Sequence, residues 1–222
     1  GRAYPMSSVT VLKDGQIALQ TIAGPDANFS ASLTGLSAGS YTFSVYSEDI
    51  NGQRSALFTF SVYVSSGAST NITGIYITPT ISVDKAQVLH GDNIAIFGQT
   101  IPDSDVVISV NSEPEYFRYT DADQDGIYLY NFDSSVLVMG SHHTKSKSSY
   151  DGDISTYGQI VSFLVGDSNI MNEEGVCGAG IGDVNCDGFV NLIDFSIEAY
   201  WYRRSNVPAN VDLNNDGKVD LI

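Results

Sequence analysis

The sequence predicts a mainly β chain: two β-sandwich domains followed by a small α module that binds calcium. Three observations predict this. Strand-like runs with period-two alternation recur through residues 1–166, and the second half of that stretch repeats the first in order. Then, within 183–222, Asp, Asn and Asp stand two apart ahead of a Gly, twice over.

The repeat frames run from Gly1 to Val64 and from Gly98 to Val165. Each opens with Gly-x-x-x-Pro (Gly1 and Pro5; Gly98 and Pro102) and continues into a β-branched run, Val9-Thr10-Val11 in one copy and Val106-Val107-Ile108 in the other. Gly39-Ser40 and Gly140-Ser141 each start an alternating strand. Turns follow at Asn51-Gly52-Gln53-Arg54-Ser55 and at Asp151-Gly152-Asp153-Ile154-Ser155, and each copy ends in an apolar strand, Phe58 to Val64 and Ile160 to Val165. Alternation at Tyr41, Phe43 and Val45, and at Phe58, Phe60, Val62 and Val64, puts one face of each strand on a core and the other in water. About six or seven short strands per copy, with turn residues every 8–12 positions, fit an immunoglobulin-like sandwich. These segments are similar to the Ig-like repeats of bacterial surface proteins, a resemblance that implies a scaffold role and specifies no activity.

The second copy is preceded by Thr80-Ile81-Ser82-Val83 and Asp92 to Phe97, which have the pattern of opening strands; the first copy has no counterpart ahead of Gly1. An open sandwich exposes core side chains and an unpaired edge, so those strands are expected either upstream or from another subunit. Thr70 to Thr80, with Ile75 and Ile77 on one parity, is a candidate donor. The expected boundaries are 1–68 and 69–167 for the sandwiches, 168–182 for a linker and 183–222 for the calcium module.

In the first loop Asp183, Asn185 and Asp187 lead to Gly188, the Phe189 carbonyl and Asn191 hold the seventh and ninth places, and Asp194 closes the shell at the twelfth. In the second, Asp212, Asn214 and Asp216 lead to Gly217, with the Lys218 carbonyl and Asp220 following, and the closing residue would lie beyond Ile222. A hard cation such as Ca²⁺ takes six to eight oxygens, and alternate side chains of a tightly curled loop supply three at once. Two calcium sites are therefore expected. The paired loops resemble a dockerin, in which each calcium loop runs directly into a helix; the resemblance implies attachment to a cohesin-like scaffold. Loop positions ten and eleven, often polar in dockerins, hold Leu192 and Ile193, then Leu221 and Ile222. The helix expected over about Asn191 to Arg203 is apolar on two faces, one with Ile193, Ile197, Tyr200 and Trp201, the other with Phe195, Ala199 and Tyr202, and so is expected to be buried on most sides.

The formal net charge of −16 opposes nucleic acid or an anionic membrane as a partner, and no apolar run reaches membrane-spanning length. Cys177 and Cys186 flank the start of the first calcium loop; in an extracellular setting they can form a disulfide, and otherwise they are two free thiols. Asn28-Phe29-Ser30 and Asn71-Ile72-Thr73 fit the N-glycosylation triplet, which makes Asn28 and Asn71 candidate sites. Asp121, Asp123 and Asp125 ahead of Gly126 look like half a calcium loop, but Leu129 and Phe132 cannot close a shell, so a turn is expected. His142 and His143 point to opposite faces of a strand and cannot share a metal.

No metal-protease motif, nucleophile elbow or phosphate loop occurs, and no enzyme activity is expected. The leading expectation is an extracellular, calcium-stabilised structural protein that self-associates head-to-tail into a cell-surface fibre or pilus-like filament. The alternative is a dockerin-bearing module that attaches a larger surface protein or hydrolase to a cohesin scaffold.

Overall fold

The computed structural model describes residues 1–112 and 114–172 and, beyond them, 182, 184, 190, 192–204, 211, 218 and 219. It is mainly β and falls into two compact units, Gly1–Ile170 and Met171–Ile222.

The larger unit holds two lobes. In the first, β1 (Ser8–Lys13), β2 (Gln16–Ile22), β3 (Gly39–Glu48) and β4 (Phe58–Val64) form an antiparallel sheet in the order β2-β1-β3-β4. Its inner face carries Val9, Val11, Phe43, Val45 and Val62, the residues that period-two alternation picks out. The covering layer is not a regular sheet. Three extended segments make it: Arg2 bridges Asn28 in antiparallel fashion on one side and Tyr76 in parallel on the other. Arg2 N–H donates to the Ile75 carbonyl at 2.8 Å, and Ile77 N–H donates to the Arg2 carbonyl at 2.9 Å.

Ile77 is fully buried in this first core, and Ile75 packs against it. Burying an isoleucine side chain is worth roughly 1.5–3 kcal/mol, and that ties 75–77 to the first lobe. A boundary at 68/69 would assign these residues to the second sandwich, and a donor role for Thr70 to Thr80 would send Ile75 and Ile77 into a neighbouring molecule. The parity is as expected; the acceptor is the chain's own N-terminal segment.

The second lobe is a two-layer sandwich. One sheet has the order β10-β7-β5, from β5 (Ser82–Val83), β7 (Asn93–Gln99) and β10 (Ile127–Asp133). The other runs β14-β6-β13-β11-β8-β9, from β6 (Lys85–Leu89), β8 (Asp105–Asn111), β9 (Tyr116–Asp121), β11 (Gly140–Tyr150), β13 (Val161–Gly166) and β14 (Ile170–Met171), with β12 (Asp153–Ile154) paired to β11. β14 thus lies inside the stretch expected to be linker. Ile94, Ile96, Val106, Ile108, Tyr128, Phe132 and Phe163 fill the core between the layers. β6 runs parallel to β13, pairing Val88 with Val165.

The seam between the lobes is polar, well bonded and backed by a small apolar cluster of Ala27, Tyr76 and Ile101. Thr80 donates its hydroxyl hydrogen to Asp49 Oδ2 at 2.7 Å, while its Oγ1 accepts from Gln99 N–H at 3.0 Å. Gln53 Nε2 donates to the Ile81 carbonyl at 2.7 Å, and Tyr4 Oη to the Thr78 carbonyl at 2.5 Å. Arg2 sits over the Tyr150 ring, 4.8 Å from its centroid. Buried hydrogen bonds of this kind fix one geometry, because breaking any of them strands a polar group away from water.

In the smaller unit, α1 (Leu192–Trp201) is the described helix, and Arg203 N–H donates to the Val219 carbonyl at 3.0 Å. That bond joins the end of α1 to the eighth position of the second loop. Leu192, Phe195 and Tyr200 are exposed, so α1 is not buried on most sides as its composition suggests. Exposed aromatics are in part covered by their own neighbours: Arg204 lies 3.9 Å from the centroid of the Tyr200 ring.

Candidate functional site

The sheet of the first lobe, β2-β1-β3-β4, has the same strand order as β9-β8-β11-β13 of the second. Gly39 faces Val64 across β3 and β4 as Gly140 faces Val165 across β11 and β13. Ser55 Oγ accepts from Ser47 N–H at 3.1 Å, and Ser155 Oγ accepts from Ser148 N–H at 3.0 Å. After the shared Gly-x-x-x-Pro, Met6 and Asp103 both take a left-handed backbone, at φ 57° and 54°.

In the second lobe β7 and β10 pair along seven positions, from Gln99 with Ile127 to Asn93 with Asp133. Gly98 opposite Tyr128 corresponds to Gly1 opposite Phe29, where Gly1 donates to the Phe29 carbonyl and Phe29 N–H to the Gly1 carbonyl, each at 2.9 Å. Ser30 to Thr34 take the place of Leu129 to Asp133 and pair with no strand among the described residues. Among the described strands β4 pairs with β3, whereas its counterpart β13 also has β6 on its far side.

Between these two unpaired lines of backbone lies a groove of about 690 Å³. Its floor is apolar, with Val11, Phe43, Val45, Phe60 and Val62 from the sheet and Phe29, Leu33 and Leu36 from the opposite wall. Its rim is Ser, Thr, Gly and Asn, and no Asp, Glu, Lys or Arg side chain lines it.

The groups that could carry acid–base chemistry are absorbed in structure. Burial pushes the Tyr4 and Tyr128 hydroxyls well above the usual phenol range; Tyr128 Oη donates to the Thr80 carbonyl at 2.6 Å. Asp14, Asp26 and Asp133 are held below the ordinary carboxylate range by hydrogen bonds, chiefly from Thr42 N–H, the Asn28 side chain and Ser135 respectively. All three are exposed; Asp14 and Asp26 lie in turns and Asp133 ends β10.

Asp123 Oδ1 accepts Asp125 N–H at 2.9 Å and Ile127 N–H at 2.8 Å, which makes the 121–126 segment a turn. His142 is buried, its Nε2 2.8 Å from the Val138 carbonyl and its ring beside Phe163, while His143 faces out beside Ser162. Asn28 and Asn71 are exposed, and Asn28 Nδ2 donates to Asp26 Oδ2 at 2.8 Å.

Of the expected calcium ligands, Asp183, Asn185, Asp187, Phe189, Asn191, Asp212, Asn214, Asp216 and Asp220 lie outside the described residues, as do Cys177 and Cys186. Asp194 is on α1 and Lys218 is exposed. Val184, at the second position of the first loop, and Val211, just ahead of the second, are buried.

The groove wall was not picked out by the sequence. Its signal was nonetheless there: Phe29, Ala31 and Leu33 keep the parity of Tyr128, Tyr130 and Phe132.

No family model matches the chain, and no curated protein matches it. Among solved structures it is similar to a tetra-tandem repeat in the extending region of a large adhesion protein, at 19% identity over 75% of this chain and 42% of that one, with a TM-score of 0.30. It is similar also to a Ca²⁺-stabilized adhesin that helps an Antarctic bacterium reach out and bind ice (15% identity, 74% of this chain, 40% of that one, TM-score 0.31). A third is the D00-D0 domain of intimin (13%, 70% and 78%, TM-score 0.31). The chain spans less than half the length of the first two. With TM-scores near 0.3, function has to be argued from the chain's own geometry.

Proposed function

We propose that this chain is an extracellular structural protein, a calcium-stabilised subunit of a cell-surface fibre or pilus-like filament that assembles head-to-tail. The observation that carries the proposal is the pair of repeated β lobes joined through a buried, hydrogen-bonded seam into one compact unit, as a rigid fibre subunit requires. The bonded seam supports a load-bearing role, since it holds both lobes as one compact unit.

The two calcium loops fit the same role by stiffening the smaller unit through ligands at Asp183, Asn185, Asp187, Asp194, Asp212, Asn214 and Asp216. The exposed Asn28 and Asn71 would present glycans on the fibre surface. Negative-stain images and light scattering of the purified protein at low micromolar concentration with calcium test the proposal. A ladder of linear oligomers is the expected result, and a strictly monomeric species at every concentration overturns it.

A further inference from the structure

One turn of the first lobe combines a grip on the seam with a chemically reactive pair of residues. We infer that Asn51 is a site of spontaneous deamidation, and that the isoaspartate formed there loosens the seam between the two lobes. This inference goes beyond the fibre proposal and does not depend on it.

Asn51 and Gly52 are the chain's one Asn-Gly pair. Both are exposed, and the Asn51 side-chain amide takes no hydrogen bond among the described residues. Gly52 has a left-handed backbone at φ 79°, and a Cβ built on it would meet nothing within 4 Å, so nothing crowds its nitrogen from that side. In the reaction the Gly52 main-chain nitrogen attacks Cγ of Asn51. A bond forms between that nitrogen and Cγ, the bond from Cγ to Nδ2 breaks, and ammonia leaves with the Gly52 proton. The product is a five-membered succinimide. Water then opens the ring, giving aspartate by attack at Cγ or isoaspartate by attack at the main-chain carbonyl. In isoaspartate the main chain runs through Cβ and Cγ and is longer by one atom.

The surroundings set both the rate and the consequence. Asp49 holds the turn closed: its Oδ1 accepts Asn51 N–H and Gln53 N–H at 2.9 Å each, and its carbonyl accepts Gly52 N–H at 3.0 Å. The attacking nitrogen is tied down while the turn is shut, so the reaction proceeds from the locally opened turn. An extra main-chain atom between the Asn51 Cα and the Gly52 nitrogen shifts Gly52 N–H and Gln53 N–H away from Asp49. Asp49 Oδ2 holds Thr80 and Gln53 Nε2 holds the Ile81 carbonyl, so both of these seam bonds start from the turn that changes shape. The new carboxylate also stands two residues from the buried Asp49.

The full chain is aged for weeks at mildly alkaline pH, and Asn51 is followed by peptide mapping with chromatographic separation of aspartate and isoaspartate products. Asn51 is expected to convert, mainly to isoaspartate, while Asn28 and Asn71, each followed by a bulky residue, stay intact. The larger unit of the aged chain is expected to melt about 2–4 °C lower. Asn51→Gln aged in parallel is expected to keep its melting profile. Thr80→Val, which releases Asp49 from the second lobe, is expected to convert at least about twofold faster. An Asn51 that stays intact while a capped Asp49–Ser55 peptide converts overturns the site. Equal melting of aged and fresh parent, an equal loss in aged Asn51→Gln, or conversion of Thr80→Val at the parent's rate overturns the coupling to the seam.

Discussion

The Thr80 hydroxyl donates to the Asp49 carboxylate at 2.7 Å across the seam between the two lobes. Asp49 Oδ1 meanwhile accepts from Asn51 N–H and Gln53 N–H at 2.9 Å each, so a single carboxylate both shapes a turn of the first lobe and grips the second. Hydrogen bonds to a charged group contribute roughly 1.5–3 kcal/mol, and more is lost when the removal strands a buried partner. Thr80→Val is expected to lower the stability of the larger unit by about 2–3 kcal/mol in urea denaturation, with Thr80→Ser close to the parent. Two separate unfolding transitions in the valine variant would show that this seam is what makes the lobes unfold together.

Gly98 sits where two lines of backbone meet. A Cβ there would lie 2.0 Å from the Thr80 carbonyl oxygen, a main-chain atom that cannot rotate away. Gly98→Ala is expected to destabilise by about 1–3 kcal/mol or more, the cost of overpacking. Gly39 has open space around its Cα, and Gly39→Ala should fall within about 0.5 kcal/mol of the parent. Thermal melts of the two variants side by side check both.

Stability against alkali should depend on Tyr4 and Tyr128. Burial raises the pKa of each above its unfolded value, so the folded state holds these protons where the unfolded chain has released them. The stabilisation is complete below the unfolded phenol value of about 10 and is lost as pH rises beyond it. The urea midpoint is expected to be flat up to about pH 9 and to fall above pH 10. Tyr128→Phe removes one ionisable group and should make that fall shallower, at the cost of the bond to Thr80 at lower pH. An equal slope in parent and variant would assign alkaline unfolding to other groups.

Much of the β architecture was legible in the sequence, because alternation at Phe43, Val45, Val62, Ile94 and Ile96 maps one-to-one onto the buried faces. The repeat also survives in detail, down to Ser55 and Ser155 making the same hydrogen bond. What parity cannot say is which core an apolar residue joins. Ile75 and Ile77 alternate correctly, yet it is their main-chain bonds with Arg2 and the burial of Ile77 in the first core that place them in the first lobe. The seam was illegible for a related reason: Asp49, Thr80 and Gln99 are ordinary turn and strand residues until the chain brings them together. The exposed Phe195 face of α1 shows the opposite limit, where apolar composition alone implied burial.

Calcium is expected to stabilise the smaller unit by mass action on its folded form. Chelation should lower the melting temperature of a transition that Asp183→Ala also lowers, and excess calcium should restore it in the parent alone. Calorimetry with and without chelator reads this directly; a thermogram that chelator leaves unchanged would remove calcium from the account.

The central proposal is assembly into a calcium-stabilised fibre, and sedimentation velocity of the purified protein over a range of concentrations, with calcium and with chelator, tests it most directly. The expected result is a concentration-dependent series of oligomers in calcium that chelator shortens. A single monomeric species at every concentration in calcium would contradict it.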